Sequence, residues 1–156
     1  MNVATAPDMH ALGVRLAGLL GAGDLVVLIG DLGAGKTTLA RGIGEGLGVR
    51  GAVTSPTYVI ARVHPPTGDG PPLVHVDAYR LTGEVEVEDL DLDASLEESV
   101  TVVEWGEGMV EGLAESRLEV TVRRGSDEGD ESRTVTVRAV GGRWAMTDPA
   151  ATLGTP

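Results

Sequence analysis

Gly30-Asp31-Leu32-Gly33-Ala34-Gly35-Lys36-Thr37-Thr38 is the stretch from which the fold follows. It fits G-x-x-x-x-G-K-[ST], the phosphate-binding P-loop, which joins a buried strand to a helix. Each residue type has a physical role. The glycines turn the backbone tightly and aim successive N–H groups at one point. Lys36 adds a mobile positive charge for β- and γ-phosphates, and the Thr37 hydroxyl is placed to ligate Mg²⁺. The following helix directs its positive end at the anion. Four fixed positions coincide by chance in roughly one chain in several hundred of this length.

The flanks supply the context that the motif requires. Leu25-Val26-Val27-Leu28-Ile29 is wholly apolar, the pattern of a strand buried on both faces. Leu39, Ile43 and Leu47 recur at a spacing of four, which places them on one helical face. Lys36 is the only lysine in the chain; apart from histidine, every other basic residue is arginine. An accidental glycine-rich turn would explain the motif but not its strand–loop–helix setting.

The remaining composition sets bounds. A chain of 156 residues suits one domain with a sizeable core. Cysteine is absent, which removes thiol and disulfide chemistry. No apolar run reaches membrane-spanning length, so a soluble cytoplasmic protein with no membrane role is expected. The net charge of −12 denies the domain counterion-release affinity for nucleic acid, so a partner must hold any RNA it serves. Phenylalanine is absent, and the core must be built from Val, Leu, Ile and Ala.

Along the chain, residues 1–7 read as frayed and Asp8 as the N-cap of a helix from Met9, with Leu12, Leu16, Leu19 and Leu20 on its apolar stripe. Gly42, Gly44 and Gly46 weaken the P-loop helix by up to ~1 kcal/mol each relative to alanine, so packing must hold it. Thr54-Ser55-Pro56-Thr57-Tyr58 precedes a strand over 59–63. It reads equally as a turn or as a switch segment whose hydroxyls approach the γ-phosphate or Mg²⁺.

Leu73-Val74-His75-Val76-Asp77 is a second apolar strand, ending in a carboxylate. Beside a P-loop strand, such an Asp holds Mg²⁺ directly or through water. His75 reads as a packed or hydrogen-bonded core residue. Arg80 suits an ion pair with the acidic run at 84–98 or, less readily, a phosphate contact in cis; the run itself reads as a solvated face or, less readily, a docking surface. Val100–Glu104 is a third strand ending in an acid, followed by Trp105, whose N–H requires a partner. Two acids near a Thr–Mg²⁺ position can divide metal binding and water activation. A short helix is expected at Met109–Ala114. Residues 117–124 and 133–139 alternate as an antiparallel hairpin, and Trp144 and Met146 dock its end.

These elements predict an α/β, P-loop NTPase sandwich with a mixed, mainly parallel central sheet and an antiparallel edge hairpin. Residues 1–146 would form one P-loop domain and 147–156 a disordered tail. The P-loop, Asp77 and Glu104 would meet at the carboxyl ends of the parallel strands, where such sheets bind ligands.

GDLGAGKTTLARG at 30–42, TSPTYVI at 54–60, HVDAYRL at 75–81 and VEWGE at 103–107, in this order and spacing, resemble the TsaE (YjeE) family. The resemblance covers roughly residues 8 to 140. It implies a slow Mg²⁺-dependent ATPase of bacterial tRNA threonylcarbamoyladenosine (t6A) synthesis. Such a protein acts with TsaD and TsaB and meets tRNA only through that complex; it is not itself the threonylcarbamoyl transferase. Carried over, Gly33, Ala34, Gly35, Lys36, Thr37 and Thr38 hold the phosphates. Thr37, Asp77 and Glu104 surround Mg²⁺, and Lys36, Asp77 and Glu104 are the catalytic set. Thr54, Ser55 and Thr57 form the switch-like loop, Trp105 lies near the nucleotide, and Arg133 matches a hairpin position that meets it. The family often carries a threonine against the base near the start of the first helix, a region read here as Asp8 or Met9. VEW is commonly followed by proline, where this chain has Gly106.

Two other readings use the same P-loop. One is a small-molecule or nucleoside kinase, for which Arg62, Arg80 and the hairpin arginines would clamp phosphate. The other is a GTP-dependent switch, which the missing N-K-x-D signature disfavours because Lys36 is the sole lysine.

Overall fold

The apolar run Leu25–Ile29 forms the central strand of a sheet, with Leu25 to Leu28 almost wholly removed from solvent. The computed structural model describes residues 1–51, 61–79 and 93–154. In chain order the strands are β1 (Asn2–Val3), β2 (Leu25–Ile29), β3 (Ala61–His64), β4 (Leu73–Asp77), β5 (Val100–Glu104), β6 (Arg117–Arg124) and β7 (Arg133–Val140). The helices are α1 (Ala6–Ala17), α2 (Lys36–Leu47), α3 (Asp93–Leu96) and α4 (Pro149–Gly154), with a 3₁₀ turn at Gly142–Trp144.

The sheet order is β1-β7-β6-β2-β5-β4-β3. Its four inner strands, β6, β2, β5 and β4, are parallel. Both margins are antiparallel, with β3 on β4 at one side and β7 on β6, then β1 on β7, at the other. The expected α/β sandwich with an edge hairpin is therefore the observed architecture. Parallel pairing sets Asp77 directly beside Glu104, because Leu73 to Asp77 run in register with Val100 to Glu104.

Alternation sorts the side chains onto two faces. Val26, Leu28, Val102, Leu118, Val120 and Val122 meet Leu12, Leu16, Leu39 and Ile43 of α1 and α2. Leu25, Val27, Val74, Val76 and Val103 form a second cluster on the other face, closed in part by Met109, Val110 and Leu113. Each fully buried aliphatic side chain contributes roughly 1.5–3 kcal/mol, which offsets the glycine content of α2.

Two of those helical glycines, Gly42 and Gly46, have a packing reason. A Cβ on Gly42 would collide with the His10 carbonyl oxygen, and one on Gly13 with the Leu39 carbonyl oxygen. The two helices touch backbone to backbone, a spacing that alanine would forbid. The propensity cost read from sequence is therefore the cost of close approach.

Several local expectations change. Residues 1–7 are not frayed: β1 pairs with β7, and the Met1 ammonium donates to the Val135 carbonyl at 2.8 Å. The N-cap of α1 is Thr5, not Asp8. Thr5 and Asp8 form a reciprocal capping box, the Asp8 N–H donating to Thr5 Oγ1 at 3.2 Å and the Thr5 N–H to Asp8 Oδ2 at 3.1 Å. Residues 109–114 are successive turns rather than a helix: the one α-type bond, from the Val110 N–H to the Gly106 carbonyl, is followed by the tighter turn from the Leu113 N–H to the Val110 carbonyl. The tail expectation also fails over Pro149–Gly154, where α4 packs Leu153 into the core at 3 % exposure. The expected switch segment with Thr54, Ser55 and Thr57, together with Arg80 and positions 84–92 of the acidic run, lies outside the described residues.

Candidate functional site

The loop after β2 ends at Gly35, which opens α2 in the left-handed conformation (φ 114°). Glycine adopts this freely and brings no capping side chain, so the first-turn N–H groups of α2 stay available for an anion. Lys36, the first residue of α2, is buried at 4 % exposure. Its ammonium donates to the Gly30 carbonyl and lies 3.3 Å from the centroid of the Trp105 ring. Burial lowers the Lys36 pKa from its ordinary value near 10.5, while the negative charges of Glu104, Asp77 and Asp31 oppose that shift.

Trp105 holds this position by an unusual backbone turn. It is the one non-glycine with positive φ (62°) among the described residues, directly after the last residue of β5. Such backbone persists when its surroundings fix it, and it concentrates at functional sites. Here the turn lays the indole face over Lys36, and the Tyr79 ring meets it edge-on at 5.0 Å. The contact found for Trp105 is a cation on its ring face, which differs from the expected partner for its N–H.

Thr37, one residue into α2, donates from Oγ1 to Glu104 Oε1 at 3.1 Å. Glu104 is 3 % exposed, and its Oε2 lies 2.6 Å from Nε2 of the fully buried His75. Asp77 accepts the Tyr79 N–H at Oδ1, 3.0 Å away. Lys36, Thr37, Asp77, Glu104 and Trp105 line one cleft of about 220 Å³, together with Gly33, Gly35 and Thr38. The sequence-predicted phosphate and acid residues are therefore neighbours in space. A threonine hydroxyl beside two carboxylates is a hard oxygen donor set that suits Mg²⁺, whose shell is completed by phosphate oxygens and water.

A second cleft of about 470 Å³ adjoins the first through Gly33, Gly35 and Thr38. It is lined by Thr5, Met9, Ala34, Arg124, Asp130 and Arg133, among others. Arg133 reaches the loop from β7, donating from Nε to the Ala34 carbonyl at 3.0 Å. The sequence-based expectation for Arg133 is a nucleotide contact; the partner found here is a backbone carbonyl of the loop. A wider concavity of about 980 Å³ is lined by Trp105, Glu119, Thr121, Arg124 and Arg138, among others. There Glu119 is already bound by Arg117 and Arg138.

Residues 3–135 match the family described as Threonylcarbamoyl adenosine biosynthesis protein TsaE. This chain belongs to the TsaE family. Among TsaE relatives, "tRNA threonylcarbamoyladenosine biosynthesis protein TsaE" of Streptomyces coelicolor is 67 % identical over 94 % of this chain and 100 % of its own. The protein of the same description from Mycobacterium tuberculosis is 50 % identical, covering 79 % of each chain. That of Bacillus subtilis is 44 % identical over 80 % of this chain and 75 % of its own. The crystal structure of Bacillus subtilis YdiB superposes with a TM-score of 0.74 at 31 % identity, covering 98 % of this chain and 91 % of that one.

Three residues of this TsaE-family site escaped the reading of the sequence. Thr5, the N-cap of α1, lines the 470 Å³ cleft; the signal was present as Thr-x-x-Asp at 5–8, and the apolar stripe drew attention to Met9 instead. Arg124 lines both the 470 Å³ cleft and the wider concavity, and ends a strand whose alternation was read as packing. His75 was placed in the core, where it is, but its bond to Glu104 depends on strand register, which sequence does not show.

Proposed function

We propose that this protein binds and slowly hydrolyses Mg²⁺–ATP as an accessory component of tRNA t6A37 synthesis, acting with TsaD and TsaB in the cytoplasm. The observation that carries this reading is the meeting of Lys36, Thr37, Asp77 and Glu104 in one cleft at the strand ends. The family's biosynthetic description supports the pathway.

On this reading the N–H groups of residues 33–38 cradle the phosphates. Lys36 leaves the Gly30 carbonyl and the indole face to pair with β- and γ-phosphate oxygens. Thr37, Glu104 and Asp77 hold Mg²⁺, which when bound neutralises charge on those oxygens. The carboxylates also orient water; its oxygen bonds to the γ-phosphorus as the bond to the bridging oxygen breaks, and its proton passes to the acid that held it. Thr54, Ser55 and Thr57 act as the switch-like loop, and Trp105 and Arg133 flank the nucleotide. The acidic chain leaves tRNA to its partners.

The test combines the protein with TsaD, TsaB, tRNA, ATP and a threonylcarbamoyl donor. Addition of this chain should permit repeated rounds of t6A formation with release of inorganic phosphate. Unchanged multiple-turnover t6A formation would sink the pathway assignment. Phosphate found on an acceptor other than water would make the protein a kinase instead.

A further inference from the structure

Both oxygens of the Glu104 carboxylate are engaged. Thr37 Oγ1 donates to Oε1, and the His75 ring sits at Oε2, 2.6 Å away. A carboxylate only accepts, so His75 donates through Nε2. The ring lies mid-strand in β4, opposite Val102 of β5, at zero exposure and on the same face as Leu73. Its Nδ1 is buried without a hydrogen-bond partner among the described residues. The polar bonding of the imidazole is therefore directed to one group, Glu104. An apolar side chain would fill this place without leaving a buried nitrogen unpaired, so packing alone does not account for a histidine.

We propose that His75 is a positioning residue, which clamps Oε2 of Glu104 so that the carboxylate stays turned toward Thr37 and the Mg²⁺ position. The proposal rests on the Mg²⁺–ATP reading of the cleft. The lever is mechanical. A glutamate has three rotatable side-chain bonds, and Thr37 holds Glu104 by a single hydroxyl, 3.1 Å from Oε1 and 3.4 Å from Oε2. The imidazole, the nearer partner of Oε2 at 2.6 Å, fixes the rotation that one hydroxyl between two oxygens leaves free. Such outer partners fix the orientation of metal-binding side chains, and their loss costs about 10- to 100-fold in metal affinity or activity. Asp77, two residues along β4 and beside Glu104 in register, is carried by the same strand, so one element places both an acid and the support of the other acid.

The experiment compares full-length wild type with His75→Leu and His75→Gln. A glutamine amide can donate near the position of Nε2; leucine cannot. Affinity for a fluorescent, non-hydrolysable ATP analogue is measured with saturating Mg²⁺ and with EDTA, alongside ATP turnover and thermal stability. His75→Leu should keep its EDTA affinity within about twofold, lose about tenfold of the Mg²⁺-dependent gain and slow turnover by about 10- to 100-fold. His75→Gln should recover most of both. The proposal is overturned if His75→Leu matches wild type, if His75→Gln fails alongside it, or if EDTA affinity and thermal stability fall together, as for a histidine that only packs. Absence of ATP hydrolysis by wild type would defeat the functional reading; the Mg²⁺-dependent gain in affinity would still decide the role of His75.

Discussion

The two clefts that share Gly33, Gly35 and Thr38 are built on opposite plans. The smaller draws its loop and first helical turn from one contiguous stretch and its acids from the ends of two adjacent parallel strands. Its key groups are interior: Lys36 and Glu104 are 4 % and 3 % exposed. The larger is assembled from three distant segments, the Thr5 cap, the loop at Ala34 and the hairpin around Arg133, and its charged groups stand half-buried or exposed. Charges act more strongly where water is excluded. The phosphate end should therefore carry the chemistry, and the hairpin end should tune affinity and hold the loop in place.

The sharpest test of that contrast is Lys36→Ala. No second lysine can substitute, so Mg²⁺–ATP affinity or turnover should fall by about 100-fold or more. Normal turnover in this variant, measured by phosphate release, would remove the P-loop assignment altogether. Glu104→Ala and Asp77→Ala come next, each expected to slow Mg²⁺-dependent hydrolysis by about 10- to 100-fold. An acid whose removal leaves the rate untouched does not belong to the site. At the hairpin end, Arg133→Ala removes the bond to the Ala34 carbonyl and should weaken nucleotide binding by about 3- to 10-fold. A loss equal to that of Lys36→Ala, seen by calorimetry, would erase the distinction between the two ends. The smallest effect is expected from Thr5→Ala. It breaks the capping box at a cost of about 1 kcal/mol, lowering Tm by roughly 2–4 °C with turnover little changed. A drop in affinity of more than tenfold would instead make Thr5 a principal nucleotide contact.

The same contrast explains what could be read beforehand. The P-loop is legible because its residues are consecutive and backbone geometry alone brings them together. Asp77 and Glu104 are legible because an apolar run ending in an acid has few meanings beside a P-loop strand, and parallel pairing then makes them neighbours. The bond from His75 to Glu104 and the reach of Arg133 to Ala34 arise from register and from the closing of a hairpin. Those are tertiary facts with no local trace. The helix start was missed for a different reason. A capping box is a weak pattern beside a strong apolar stripe, and Pro7 within the first turn drew the boundary inward. The segment 109–114 shows the converse, where apolar residues at Met109, Val110 and Leu113 cover a sheet face from turns rather than from a helix.

The lysine resting on an indole has a practical consequence. The chain contains two tryptophans. Trp105 carries the Lys36 ammonium against its face, whereas Trp144 is buried at the opposite end of the strands, beside Arg143, which pairs with Asp24 ahead of β2. An anion that draws Lys36 away changes the electric field at one indole and leaves the other as an internal standard. The protein is thus wired as its own optical gauge: a shift in intrinsic emission on adding nucleotide, lost in Trp105→Phe and kept in Trp144→Phe, would report the lysine leaving its perch without any attached dye.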